Sequence, residues 1–297
     1  MDFISERAEA RGYAKINLHL DVTGREENGY HTVETVMQSI SLWDEISVTL
    51  TDGIFFAECN VDGVPADNKN IAVRAAELFM SEIGSSRGAV IKIEKRIPMA
   101  AGMAGGSADA AATLVALNSL LDTPLDRAEL CRMGARLGAD VPFCIVGGIA
   151  YADGRGDILH PFPEMPDCFI VAACGGEGVS TPWGYGLLDL LHDGFGETST
   201  YVPRGTEDLR RAIEDRSLDG ICKNIYNIFE APVLDARPVA AEIKKLLLDG
   251  GALGAMMSGS GPSAFGIFED EKTAKRAADS ILDKGFFASV CTPLKKG

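Results

Sequence analysis

Basic charge is scarce. Lysine and arginine number 28 against 43 aspartates and glutamates, a formal net charge of -15 over 297 residues. A surface of that sign opposes general attraction to nucleic acid or to anionic membranes, so any anionic ligand needs a locally basic or backbone-lined pocket. No basic stripe with interleaved aromatics is present, which argues against an RNA-binding role. Paired cysteines are also missing: the seven are an odd number, scattered, with no C-x-x-C pair, a pattern that speaks against structural zinc and for a reducing cytoplasm. No apolar run reaches membrane-spanning length, and the first residues lack the basic region and apolar core of a signal peptide. The expectation is a soluble cytoplasmic protein, monomer or homodimer, that acts on a small molecule and has neither nucleic acid nor membrane as partner. A hydrophobic content of 46% supports a sizeable core, in one large domain or two.

Against these absences stands one glycine- and alanine-rich stretch, Pro98-Met99-Ala100-Ala101-Gly102-Met103-Ala104-Gly105-Gly106-Ser107-Ala108-Asp109. Glycines let backbone N–H groups converge, and the helix that follows presents unpaired donors and the positive end of its dipole, so the stretch reads as a phosphate cradle. It carries neither the lysine of G-x-x-x-x-G-K-[ST] nor the spacing of G-x-G-x-x-G. A plain strand-to-helix turn with Ser107 as N-cap and Asp109 in the first turn accounts for the same residues without a ligand.

Alternation marks Tyr13 to Val22 as a half-buried strand, with Lys15, Asn17, His19 and Asp21 on its polar face. Strands are expected over Val33–Ile40, Asp44–Thr51, Ala89–Glu94, Cys168–Ala173 and Ala264–Phe268. Helices are expected over Asn70–Ile83, Ser107–Leu121, Asp126–Leu137 with a stop at Gly138, and Pro238–Leu248. Strand and glycine-turn signals fill Val141–Asp157. The run Pro161-Phe162-Pro163-Glu164-Met165-Pro166 breaks periodicity and is the candidate linker. Elements of both kinds mix without a strict βαβ rhythm, so the expected class is α+β in two domains, residues 1–162 and 163–297.

Three further segments bear on function. Lys15-x-Asn17 places an ammonium and an amide roughly 7 Å apart on one strand face, where they can hold a hydroxyl or phosphate or simply face solvent. In Gly138-Ala139-Asp140-Val141-Pro142-Phe143 an aspartate follows a helix stop and precedes an apolar strand, a junction that suits a catalytic side chain or a capping one. Met257-Ser258-Gly259-Ser260-Gly261-Pro262-Ser263 is a second glycine-serine loop flanked by apolar residues, which favours an ordered turn over a flexible linker.

Together with Thr23-Gly24-Arg25, Asn28-Gly29-Tyr30-His31 and Gly154-Arg155-Gly156-Asp157, these segments resemble the GHMP kinase superfamily over nearly the whole chain. The resemblance implies a ribosomal S5 domain 2-like N-terminal domain, a ferredoxin-like C-terminal domain, and an ATP- and Mg2+-dependent kinase. Lys-x-Asn followed by Gly-Tyr-His further resembles the branch that phosphorylates an alcohol on a cytidine diphosphate-linked substrate in isoprenoid precursor synthesis. The resemblance gives Asp140 as base toward the hydroxyl and Lys15 as its partner. It places ATP on Pro98, Ala100, Ala101, Gly102, Met103, Ala104, Gly105, Gly106 and Ser107, with Asn70 and Lys95 near adenine and ribose. Substrate would meet Asn17, Tyr30, His31, Asp140, Thr181 and Tyr185. Magnesium ligands stay unassigned, with the Ser107 hydroxyl a candidate for phosphate or metal. The family loop usually has glycine where Ala104 stands and a second serine where Ala108 stands, so Ala104 is expected to avoid positive φ through a modest loop adjustment. A mevalonate- or homoserine-type kinase, which needs no cytidine clamp, and a non-catalytic nucleotide sensor on the same fold are the competing readings.

Overall fold

The structure is a computed structural model that describes residues 7–120, 124–196 and 199–296. The elements run β1 (Arg7–Arg25), β2 (His31–Thr51), β3 (Phe55–Cys59), α1 (Ile71–Glu82), β4 (Gly88–Glu94), α2 (Gly105–Leu120), α3 (Arg127–Leu137), α4 (Val141–Val146), β5 (Ile149–Asp153) and β6 (Ile158–Pro161). They continue with β7 (Phe169–Cys174), α5 (Thr181–Leu191), a 3-10 turn at Asp193–Phe195, α6 (Glu207–Glu214), α7 (Leu218–Asn224), β8 (Tyr226–Asn227), α8 (Glu230–Ala236), α9 (Pro238–Asp249), β9 (Gly254–Met257), β10 (Ala264–Phe268), α10 (Glu271–Leu282) and β11 (Phe287–Cys291). Among the described residues no helix is long and apolar enough to cross a membrane. The α+β class holds.

Packing divides the chain into two units that interleave along it. The first takes residues 1–14, 42–97 and 104–146, and the second takes 15–41, 98–103 and 147–297. The Pro-rich run lies inside the second unit and is no linker: Phe162 and Met165 are buried, and the Arg210 guanidinium lies over the Phe162 ring.

In the first unit the end of β2 pairs antiparallel with β4 from Glu45/Glu94 to Thr51/Gly88, and β3 joins β4 in parallel. One face of these strands is covered by helices. Asn70 caps α1 by accepting the Ala72 N–H at 2.9 Å, and the helix then buries Ala72, Val73, Ala75, Ala76, Phe79 and Met80, the spacing of a single apolar stripe. The alanine-rich α2 is buried on nearly every side, because methyl groups let its backbone approach its neighbours closely. At Gly12 of β1 a Cβ would stand 2.5 Å from the Ala108 carbonyl oxygen. Asp126 and Glu129 close a capping box on α3, whose end at Gly138 is as expected. Beyond it the expected strand is instead α4: Pro142 in the first turn supplies a helical φ, and the Asp140 carbonyl accepts the Cys144 N–H at 3.0 Å.

The second unit holds β1 from Lys15 onward and the first part of β2. His19 and Leu20 pair in parallel with Tyr226 and Asn227 of β8, and residues 35–38 of β2 pair with β5, which pairs with β6. A separate antiparallel sheet has the order β11-β7-β10-β9, with α9 and α10 contributing Ile243, Leu247, Ala274, Ala277 and Ile281 to its core. Two local expectations change. The strands expected at 33–40 and 44–51 are one continuous strand, since Ser41-Leu42-Trp43 contains neither glycine nor proline to break it. The polar face of β1 is not solvated: Lys15, Asn17, His19 and Asp21 are all buried. The last residue of the expected helix 107–121 lies outside the described residues.

Candidate active site

The first unit brings the starts of several helices together. Helix α2 begins at Gly105, two residues earlier than expected, so Ser107 sits within its first turn rather than capping it, and Asp109 sits in its second. A Cβ on Gly106 would touch Ile71, the residue after Asn70, and a Cβ on Gly138 would lie 3.9 Å from the Ser107 Oγ. Asn70, Gly105, Gly106, Ser107 and the segment leading to Asp140 therefore share one region. Asn70 is occupied as a cap, and its amide N–H donates to the Pro65 carbonyl at 2.9 Å.

Lys95 has a defined place. Its side chain is 6% exposed, and its ammonium donates to Asp44 at 2.5 Å and to Asp109 at 2.9 Å. The other oxygen of Asp44 accepts the backbone N–H of Arg96 at 2.6 Å and of Ile97 at 2.8 Å. One buried carboxylate thus holds the chain entering the glycine loop and, through Lys95, the helix leaving it. Burial, with the Asp44 charge adding to it, pushes the Asp109 carboxyl up to about 7 against the pull of Lys95. The two carboxylates more than offset burial at Lys95, whose ammonium is held above its ordinary range.

The loop between them departs from expectation at one residue. Ala104 does not avoid positive φ; it adopts +58°, and Ala100 adopts +51°. The Ala104 carbonyl accepts the Ala108 N–H at 2.9 Å, which fixes the start of α2 and helps hold this left-handed conformation. In the second unit Gly102, at φ +77°, is irreplaceable on two counts, since a Cβ there would stand 2.3 Å from the Ser258 carbonyl oxygen. Ala101 and Met103 are buried, Pro98 half-buried, and the Ala101 carbonyl accepts the Ser263 N–H at 3.2 Å.

The second unit also explains how β1 buries its polar face. The Lys15 ammonium donates to Asn17 Oδ1 at 2.7 Å, the same oxygen accepts the Gly259 N–H at 2.9 Å, and Asn17 Nδ2 donates to Thr35 Oγ1 at 2.9 Å. Ser258 Oγ donates to the Gly102 carbonyl at 3.0 Å, and the Lys15 N–H donates to the Met103 carbonyl at 3.2 Å. The Ser258-Gly259 turn is therefore ordered, and it ties Lys15 and Asn17 to the residues around Gly102. Two strand residues further on, His19 has no partner for either ring nitrogen, and burial lowers its proton affinity to about 4.

A third cluster gathers on the Gly29-Tyr30-His31 turn and α5. The His31 ring stacks on Tyr185 with centroids 4.5 Å apart and planes 14° from parallel, while Phe195 meets it edge-on. Tyr30 is 60% exposed beneath the Arg155 guanidinium. Thr181 begins α5 and shares a hydrogen bond of 3.2 Å with Ser260. Thr35 and Asp189 were not anticipated. Asp189 was legible as the i+4 neighbour of Tyr185 on one helix face; Thr35, a polar residue in a β-branched strand, gives no such signal.

Among the described residues no group of three or more His, Cys, Asp or Glu is arranged to hold a metal ion. Residues 70–148 match the family model for the GHMP kinases N terminal domain, and residues 209–286 match that for GHMP kinases C terminal. The chain is 43% identical to the 4-diphosphocytidyl-2-C-methyl-D-erythritol kinase of Acetivibrio thermocellus, over 93% of this chain and 95% of that one. It is 41% identical to the enzyme of the same name from Lachnoclostridium phytofermentans, over 93% and 92%. A crystal structure of a 4-(cytidine 5'-diphospho)-2C-methyl-D-erythritol kinase superposes with a TM-score of 0.78 at 32% identity, covering 97% of this chain and 99% of that one. A homoserine kinase from Cytophaga hutchinsonii shares the fold alone, at 18% identity and TM-score 0.73, with coverage of 100% and 97%. The chain belongs to the GHMP kinases, and within them to the 4-diphosphocytidyl-2-C-methyl-D-erythritol kinase family.

Proposed function

We propose that the chain transfers the terminal phosphoryl group of ATP to the 2-hydroxyl of 4-diphosphocytidyl-2-C-methyl-D-erythritol, giving the 2-phosphate and ADP. The observation that carries the substrate assignment is the aromatic cluster of His31 stacked on Tyr185, beside the exposed Tyr30. Such a cluster suits a pyrimidine, which needs a ring face and a polar edge, and has no purpose for mevalonate or homoserine.

In this reading the triphosphate lies along Gly102–Ser107, where backbone N–H groups and the start of α2 favour an anion. Asp140 accepts the hydroxyl proton and orients the oxygen for in-line attack, and the Lys15 ammonium steadies the transferred group. Asn17, which holds Lys15 at 2.7 Å, limits the positions that ammonium can take. A bound Mg2+ would supply charge neutralisation to the phosphate groups. The donor set suits a metal held chiefly by phosphate oxygens, with Ser107 as the hydroxyl available from the protein. Thr181 and Tyr185 form a wall of the cytidine pocket, and Asn70 and Lys95 stand on the nucleotide side, Lys95 as the support of the loop.

The test is ATP-dependent phosphorylation of the cytidyl substrate beside mevalonate and homoserine. Turnover of the cytidyl substrate alone is expected. Asp140→Asn should lower kcat by a factor of about 100 or more with little change in ATP affinity. An undiminished rate would remove Asp140 from the reaction, and preferred turnover of another alcohol would overturn the cytidine pocket.

A further inference from the structure

His31 can serve as an edge for a base only if its proton is placed. The structure shows what places it. Nε2 lies 2.7 Å from Asp189 Oδ1. An ionised carboxylate only accepts, so Nε2 carries the hydrogen, and in the neutral imidazole Nδ1 then keeps the lone pair. The ring is otherwise immobilised by Tyr185 on its face and Phe195 on its edge, and its side chain is 7% exposed. Asp189 is itself held: Arg25 Nη1 stands 3.6 Å from its second oxygen, and Arg25 Nε donates to the Gly29 carbonyl at 3.1 Å, in the turn that carries Tyr30 and His31.

We propose that Asp189 is a specificity-determining positioning residue: by keeping the proton on Nε2 it makes His31 Nδ1 an acceptor, which selects a pyrimidine bearing a 4-amino group over one bearing a 4-oxo group. An amine N–H pointed at Nδ1 forms a hydrogen bond, whereas a carbonyl oxygen there sets lone pair against lone pair. Arg25 acts one step further out, aligning the carboxylate and fixing the turn. The inference rests on the cytidyl reading above and adds to it the device that distinguishes cytosine from uracil.

Asn at position 189 can present either an oxygen or an NH2 group to Nε2, and the NH2 orientation moves the ring proton to Nδ1. Asp189→Asn is therefore expected to reduce the ratio of kcat/KM for the cytidyl substrate over its uridyl analogue by ten- to a hundredfold. Asp189→Glu should keep part of that ratio. A role confined to stability would lower both kcat/KM values together and leave the ratio unchanged, which would overturn the proposal. The 15N shifts of the wild-type His31 ring test it without any variant: a protonated Nε2 and a bare Nδ1 at neutral pH are expected, and a protonated Nδ1 refutes it. If wild-type protein turns over neither nucleotide substrate, the cytidyl reading fails and this inference with it. Turnover of the cytidyl substrate with an unchanged ratio fails this inference alone.

Discussion

Replacing His19 by phenylalanine should make the protein more stable, and the gain should grow as the pH falls. His19 is 1% exposed on β1, and both of its ring nitrogens are buried without a hydrogen-bond partner. A polar group left in that state costs about 1 to 3 kcal/mol, and a phenyl ring of similar shape, packed against Tyr226 at a centroid distance near the present 5.6 Å, removes the cost. The second contribution is linkage. Burial, helped by the Arg204 charge, lowers the imidazole's affinity for a proton from 6.5 to about 4. The unfolded chain therefore binds a proton that the folded chain refuses. The resulting stability is fully present above about 6.5 and is lost as the pH falls toward 4, amounting to roughly 2 kcal/mol by pH 5. Urea unfolding of wild type and His19→Phe at pH 8 and pH 5 separates the two contributions. The variant should lead at both values, and its lead should widen by about 2 kcal/mol at the lower one. A lead that does not change with pH would show that the imidazole is solvated or paired and would refute the reasoning.

Other consequences follow from the loop. Asp44→Ala leaves the Lys95 ammonium with Asp109 alone and strips the acceptor from two backbone N–H groups in a buried place, and should cost about 3 kcal/mol of stability, read as a fall in urea midpoint with an unchanged slope. Gly102→Ala should be poorly tolerated, because its Cβ would meet the Ser258 carbonyl at 2.3 Å, and ATP affinity measured by calorimetry should fall with stability. Ala104→Gly relieves roughly 1 kcal/mol of left-handed strain but frees the unfolded chain by a similar amount, so its unfolding midpoint should scarcely move.

The elements with their own local code were legible in the sequence. Asn70, Asp126 and Gly138 fix helix ends through caps that the residues themselves announce, and Ala264–Phe268 is an apolar run of strand length that forms β10 as written. Val141–Val146 misleads because its β-branched residues suit a strand, while Pro142 and the packing of α4 on α3 decide for a helix. The polar residues of β1 look solvated by alternation alone; the partners that let Asn17 and Asp21 be buried, Thr35, Gly259, Tyr201 and Arg204, are distant in sequence. Lys15, Asn17, His31 and Tyr185 are recognisable by motif, whereas Thr35 and Asp189, which bond Asn17 and His31, are not. Asp44 announces nothing locally and Asp189 only its place four residues after Tyr185 on α5, and the structure gives them meaning by placing Lys95 and His31 against them.

The interleaving of the two units sets terms for anyone who would divide this chain. A fragment ending at residue 146 keeps every stretch of the first unit but removes from the second the parts of β1 and β2 that pair with β8 and β5. The remaining piece would expose two unpaired strand edges, the state most prone to aggregate. Separate expression of halves should therefore yield insoluble material, and activity from a split gene should return only when both pieces are synthesised together. The chain is inherited, and must be engineered, as one indivisible length.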